Sequence, residues 1–176
     1  MIKGQDIVLL VKLITNEEAR KWSQLKLSQH LCMSSSTVNA SLKRLEQSIL
    51  IVYSGMKNQT KNPIQANCKE LILCAPYMFV VKNVGYTSGM PTYTSSPFFK
   101  ESNLVPSYKF VWPDAEGDTR GIEFSPLYPS VPRALRLHPD EPFYEMLCLI
   151  DGLRYGDCRE KNYARTQLTK RIEECL

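Results

Sequence analysis

No proline stands before Pro63, and nine of the eleven fall between Pro91 and Pro142. Proline fixes φ and lacks an amide hydrogen, so it stops helices and is excluded from central strands. Long helices are therefore confined to the two ends of the chain. The middle must be irregular chain and short strands. It is nonetheless expected to be ordered, because Tyr93, Phe98, Phe99, Tyr108, Phe110, Trp112, Phe124 and Tyr128 offer large apolar areas to bury.

The proline-free end reads as three helices. Ile7, Val8, Leu9, Leu10, Leu13 and Ile14 predict an apolar core helix ending near Thr15-Asn16. Ser23 is a good N-cap for a second helix carrying Leu27 and Leu31. After a break at Cys32-Met33, a third helix carries Val38, Leu42 and Leu45 on one face, with Ser34 or Ser35 as its cap. The β-branched run 49–53 predicts a strand, followed by a polar loop over 54–63.

The pair of helices reads as a helix-turn-helix. The outward face of the third helix is Ser36, Asn39, Ala40 and Lys43, with Ser35, Thr37 and Arg44 beside it. Short hydrogen-bonding groups suit base edges in a major groove, and cations suit phosphates. Ser36 and Asn39 are expected to read bases with help from Thr37, and Lys43 and Arg44 to meet phosphate or guanine. Lys57 and Lys61, on the polar loop, are expected to hold the DNA backbone from a wing. The charge agrees: residues 1–62 hold nine basic and four acidic side chains, whereas residues 63–176 hold thirteen and fourteen. The excess positive charge lies with the candidate recognition helix, where counterion release favours nucleic acid.

Residues 22–50, with Trp22-Ser-Gln-Leu25 and Ser34-Ser-Ser-Thr-Val-Asn-Ala-Ser-Leu-Lys-Arg-Leu45, resemble the helix-turn-helix of bacterial MarR-type winged-helix regulators. Further along, Gly89-Met-Pro-Thr92, Val111-Trp-Pro-Asp-Ala-Glu-Gly117, Arg120-Gly121, Pro126-Leu-Tyr-Pro-Ser-Val-Pro132, Leu149-Ile-Asp-Gly-Leu-Arg154 and Arg159-Glu160 resemble small bacterial proteins described as MarR-like. The resemblance implies a transcriptional regulator that binds double-stranded DNA. The long proline-rich second half departs from the usual MarR pattern, so that family's dimer and its phenolic-ligand site are not carried over.

Between the two ends, 66–74 predicts a short helix stopped by Pro76, and 77–81 and 109–112 predict strands. Helical spacing returns with Phe143, Met146, Leu147, Ile150 and Leu153, stopped by Gly156, and again over 157–174. The two helices predict an antiparallel hairpin. Such a hairpin suits a homodimer, which would set two recognition helices roughly 34 Å apart on DNA. Asp151 and Arg154, at i and i+3, predict an ion pair, with Arg159 and Glu160 close enough to complete a polar clamp between the helices.

No nucleophile and base at defined spacing stand out, and Gly85, Gly89, Gly117 and Gly121 are too widely spaced for a phosphate loop. A non-enzyme without cofactor is expected. The six cysteines form no Cys-x-x-Cys pair and have only His30 and His138 to join them, which predicts reduced thiols and no metal. Cys32 in the helix-turn-helix turn suggests a redox switch, on the strength of a lone thiol. No apolar run approaches the roughly 20 residues that span a membrane, and the N-terminus lacks the small-residue cleavage site of a signal peptide. A cytoplasmic location follows.

The expected fold is α+β. Residues 1–62 form a winged helix-turn-helix, 63–140 a short helix, strands and proline-rich irregular chain, and 141–176 the helical hairpin. The alternative function is a protein-interaction module, or an antitoxin-like partner of a neighbouring gene product, acting through the aromatic, proline-rich half.

Overall fold

A computed structural model describes residues 1–55, 59–82, 85–102 and 108–176 and places them in a mixed α+β fold. Helix α1 (Gly4–Thr15) is central: every residue from Asp6 to Ile14 is buried. A helix that is apolar on all sides needs neighbours on all sides. Here the helix Ser35–Gln47 and the first hairpin pack on it, as do the C-terminal helices. Two ion pairs, each with its α1 member buried, hold it. Arg44 reaches both Asp6 oxygens at 2.7 Å, and Lys12 reaches Asp140 at 2.6 Å. Arg20 covers its last turn, donating to the carbonyls of Leu13 and Ile14 and to that of Cys175 at the far end of the chain.

Helix α2 (Gln24–His30) starts at Ser23, whose hydroxyl accepts the Lys26 amide, and α3 (Ser35–Gln47) starts at Ser34, which accepts the Thr37 amide. Of the two candidate caps, Ser34 is the one used. Cys32 takes the left-handed conformation (φ 50°) that closes the turn between the helices. Leu27, Leu31, Val38, Leu42 and Leu45 meet in the core at 1% exposure or less. Strands β1 (Ile51–Ser54) and β2 (Thr60–Pro63) pair antiparallel, with Ile51 opposite Pro63. The polar loop thus returns as a strand, and Pro63 occupies its last position, where a missing donor is tolerated.

Helix α4 (Gln65–Leu73) agrees with expectation, but Pro76 does not end the helical chain. It occupies the first turn of α5 (Ala75–Met78), where its absent N–H costs nothing. The strand expected over 77–81 does not form: Tyr77 and Val80 project outward at 82% and 74% exposure, with no ladder for their backbone. The strand lies instead at β3 (Tyr86–Pro91), antiparallel to both β4 (Phe110–Pro113) and β5 (Thr119–Glu123), which pair parallel to close a three-stranded ring. Its prolines stand at strand ends. A Cβ on Gly89 would collide with the Trp112 backbone, and one on Gly117 with Gly89. These glycines let the turn after β4 fold down against β3.

Helix α6 (Val131–Leu137) carries Pro132 in its first turn. Helices α7 (Glu141–Tyr155) and α8 (Cys158–Cys175) form the predicted hairpin around Gly156. Ten of the fifteen α7 residues are buried, because α1, α5 and α8 all pack on it. Ala164, Leu168 and Ile172 of α8 complete the contact. Among the described residues no helix is long and apolar enough to cross a membrane.

The four-charge clamp does not assemble. Asp151 and Arg154 do pair, at 2.6 Å, and both are buried. The other partners of Asp151 are Thr92 Oγ1 at 2.8 Å and Trp112 Nε1 at 2.7 Å, while Arg154 donates to the carbonyls of Phe79 and Ser125. Burial pushes the Asp151 carboxyl up from the ordinary carboxylate range, and Arg154, Thr92 and Trp112 pull it back. Glu160 turns away to accept the Asp157 amide in a capping box and the Tyr93 hydroxyl. Arg159 is exposed.

Candidate nucleic-acid interface

The α3 surface is built from its cap outward. Ser34 Oγ accepts the Thr37 amide at 3.1 Å and lies 2.9 Å from Ser36 Oγ and 2.8 Å from Thr37 Oγ1. The serine run is therefore one hydroxyl network that holds the first turn and presents its remaining lone pairs outward. Ser35 Oγ lies 3.4 Å from Ser28 Oγ of α2 and ties the two helices together.

Along the next turns, Asn39 and Ala40 are half-buried and Lys43 is exposed. With Ser36 these make one outward stripe at i, i+3, i+4 and i+7, opposite the leucine face. No cation partner or acid among the described residues engages Lys43. Ser36, Asn39, Ala40 and Lys43 thus share the outward side of α3, flanked by Thr37 and by Ser35, which is turned to α2.

Two predicted contacts are placed elsewhere. Arg44 faces inward: its guanidinium grips Asp6 with two hydrogen bonds, adds Ser41 Oγ at 3.2 Å, and is held above its ordinary pKa by the Asp6 carboxylate. Asp6 is fully buried and requires that cation. Lys61 is also turned in, at 5% exposure, donating to the carbonyls of Trp22 at 2.7 Å, Gln59 at 3.1 Å and Arg20 at 3.4 Å. Burial lowers its pKa. It anchors β2 to the chain before α2 and is not available as a wing contact. Lys57 lies outside the described residues.

Two exposed cations that the helical spacing does not point to, Lys21 and Lys26, stand near the start of α2. Lys26 Nζ stands 4.3 Å from the Trp22 ring centroid, which fixes it beside the helix-turn-helix, while Lys21 makes only an exposed pair with Glu18. Their signal was the Arg20-Lys21 and Lys26 positions flanking Trp22.

The second half supports this region directly. Ser130, just before α6, donates to the Leu31 carbonyl in the turn at 2.6 Å, and His138, just after it, stacks on His30 of α2 with ring centroids 4.2 Å apart. Trp22 closes the other side of His30 at 4.3 Å. Burial lowers the His30 pKa, and His138, Lys12 and Lys26 lower it further.

All six cysteines are free thiols; burial pushes Cys68 up to about 12, and Cys148 is raised for the same reason. No group of three or more His, Cys, Asp or Glu among the described residues could hold a metal. No protein-family model matches the chain, and neither a curated protein nor a solved structure matches it.

Proposed function

We propose that this protein is a sequence-specific regulator that binds double-stranded DNA through α3, as a winged helix-turn-helix, and represses by occupying its operator. The observation that carries the reading is the outward stripe Ser36, Asn39, Ala40 and Lys43. It is a row of short hydrogen-bonding or cationic side chains on a helix whose opposite face is wholly buried. Asn39 would read a base edge, with Ser36 and Thr37 beside it, and an asparagine amide suits adenine in the major groove. Lys43 on α3, Lys26 on α2 and Lys21 just before α2 would supply phosphate contacts. The β1–β2 hairpin takes the position of a wing after α3.

A homodimer would present two copies of α3 to successive grooves. Most of α7 is buried within its own chain, so the larger open surface of the hairpin is the outward face of α8. Selection of binding sites from random duplex DNA by the purified protein tests the reading. A recurrent motif, palindromic if the protein is a dimer, is expected. Recovery of unrelated sequences after repeated rounds would refute sequence-specific recognition.

A further inference from the structure

A cleft of about 580 Å³ opens on the side of the molecule between the turn after β4 and the junction of α6 with α7. It lies within the size range of small-molecule sites. Its floor is apolar: Met90 and Pro91 from β3, Leu135 from α6, and the ring of Tyr144 from α7. Its rim is acidic. Asp114, Glu116 and Asp118 stand on one wall, and Asp140 and Glu141 on the other. A single cation, Arg136, lines it. A chain of net charge +4 thus gathers five carboxylates around one apolar cleft.

The cleft is preformed. Arg136 bridges its walls, donating to Asp114 at 3.1 Å and to Glu116 at 2.6 Å. The turn itself is closed by the Gly117 amide on the Asp114 carbonyl at 3.0 Å, and Tyr144 donates its hydroxyl to the Pro91 carbonyl across the floor. Asp140 is occupied by Lys12. Asp118 and Glu141 are exposed, and neither has an ion-pair partner among the described residues. Negative potential is therefore left uncompensated on both walls, above a floor that favours an apolar body and includes an aromatic ring.

We propose that this cleft binds a small organic cation: a protonated amine carried on an apolar group about the size of an aromatic ring. The body would displace water from Met90, Leu135 and Tyr144, and the ammonium would lie between Asp118 and Glu141. Such a ligand matches both features, whereas a carboxylate of the same shape meets the acidic rim and a neutral one gains nothing from it.

The full chain is titrated calorimetrically with 2-phenylethylammonium, with 2-phenylethanol and with 3-phenylpropanoate. The amine should bind roughly ten-fold more tightly than the alcohol, and the propanoate should not bind. In the double variant Asp118→Asn/Glu141→Gln, both exposed positions, the amine should fall to the affinity of the alcohol. In Glu46→Gln/Glu70→Gln, which removes two exposed acids elsewhere, the preference should persist. Absence of amine binding, equal binding of amine and alcohol, or a preference untouched by the first pair or abolished by the second would overturn the proposal.

Discussion

Lys43 and Arg44 are adjacent cations with opposite roles. Lys43 is exposed on the outward stripe, while Arg44 neutralises a fully buried carboxylate 38 residues away. Arg44→Ala should therefore lower unfolding stability by about 2–4 kcal/mol, because it strands Asp6 without a counter-ion. Lys43→Ala should leave stability unchanged and flatten the slope of log affinity against log salt by about 0.9. Denaturant titration and salt-dependent DNA titration separate the two. Asn39→Ala should cost about 1–3 kcal/mol of discrimination between operator and mutated operator, with little loss on random DNA. The stripe itself was legible in the sequence, since helical spacing fixes which residues share a face. The fates of Arg44 and Lys61 were not, because each depends on acceptors brought close only by tertiary packing.

Among the elements, helices were the readable part and the small sheet was not. The run 77–81 is apolar enough for a strand, but Pro76 starts a helical turn and leaves Tyr77 and Val80 in solvent. β3 has little β-branched character. Its qualification is Gly89, which admits a second backbone segment at close range, and no periodicity announces that. At the end of α3 the chain turns through Ile49 at φ 54°, a left-handed conformation that a β-branched residue adopts at a cost of roughly 1–2 kcal/mol. Ile49 is exposed at 64%, so Ile49→Gly should raise the denaturation midpoint.

The Trp22–His30–His138 stack joins α2 to the chain after α6. The His30 pKa lies below its ordinary value of 6.5 in the fold. The unfolded chain consequently takes up a proton first as pH falls. Stability should be full above pH 6.5 and decline below it. Thermal melts across this range should show a smaller decline for His30→Gln.

At the scale of the molecule, α1 is the shared element. Arg20 links its end to Cys175, Lys12 links it to Asp140 at the start of α7, and Asp6 links it to α3. A boundary near residue 62 follows the change in composition, yet the buried apolar cluster runs through it, from Ile7 to Ile172. The continuous apolar run of α1 was the sequence sign of a helix covered on all sides. What covered its far flank could not be read, because α7 and α8 are more than a hundred residues distant. A fragment ending at residue 64 would expose the α7-facing side of α1. It should fail to give a cooperative melt, whereas the whole chain should unfold in a single transition.

Sequence-specific DNA binding by α3 is tested by fluorescence anisotropy of the purified protein on the DNA upstream of its own gene, against scrambled competitor, at two salt concentrations. Binding should survive the competitor and weaken steeply with salt, and should lose its preference over scrambled DNA in Asn39→Ala. Equal affinity for upstream and scrambled DNA would contradict it.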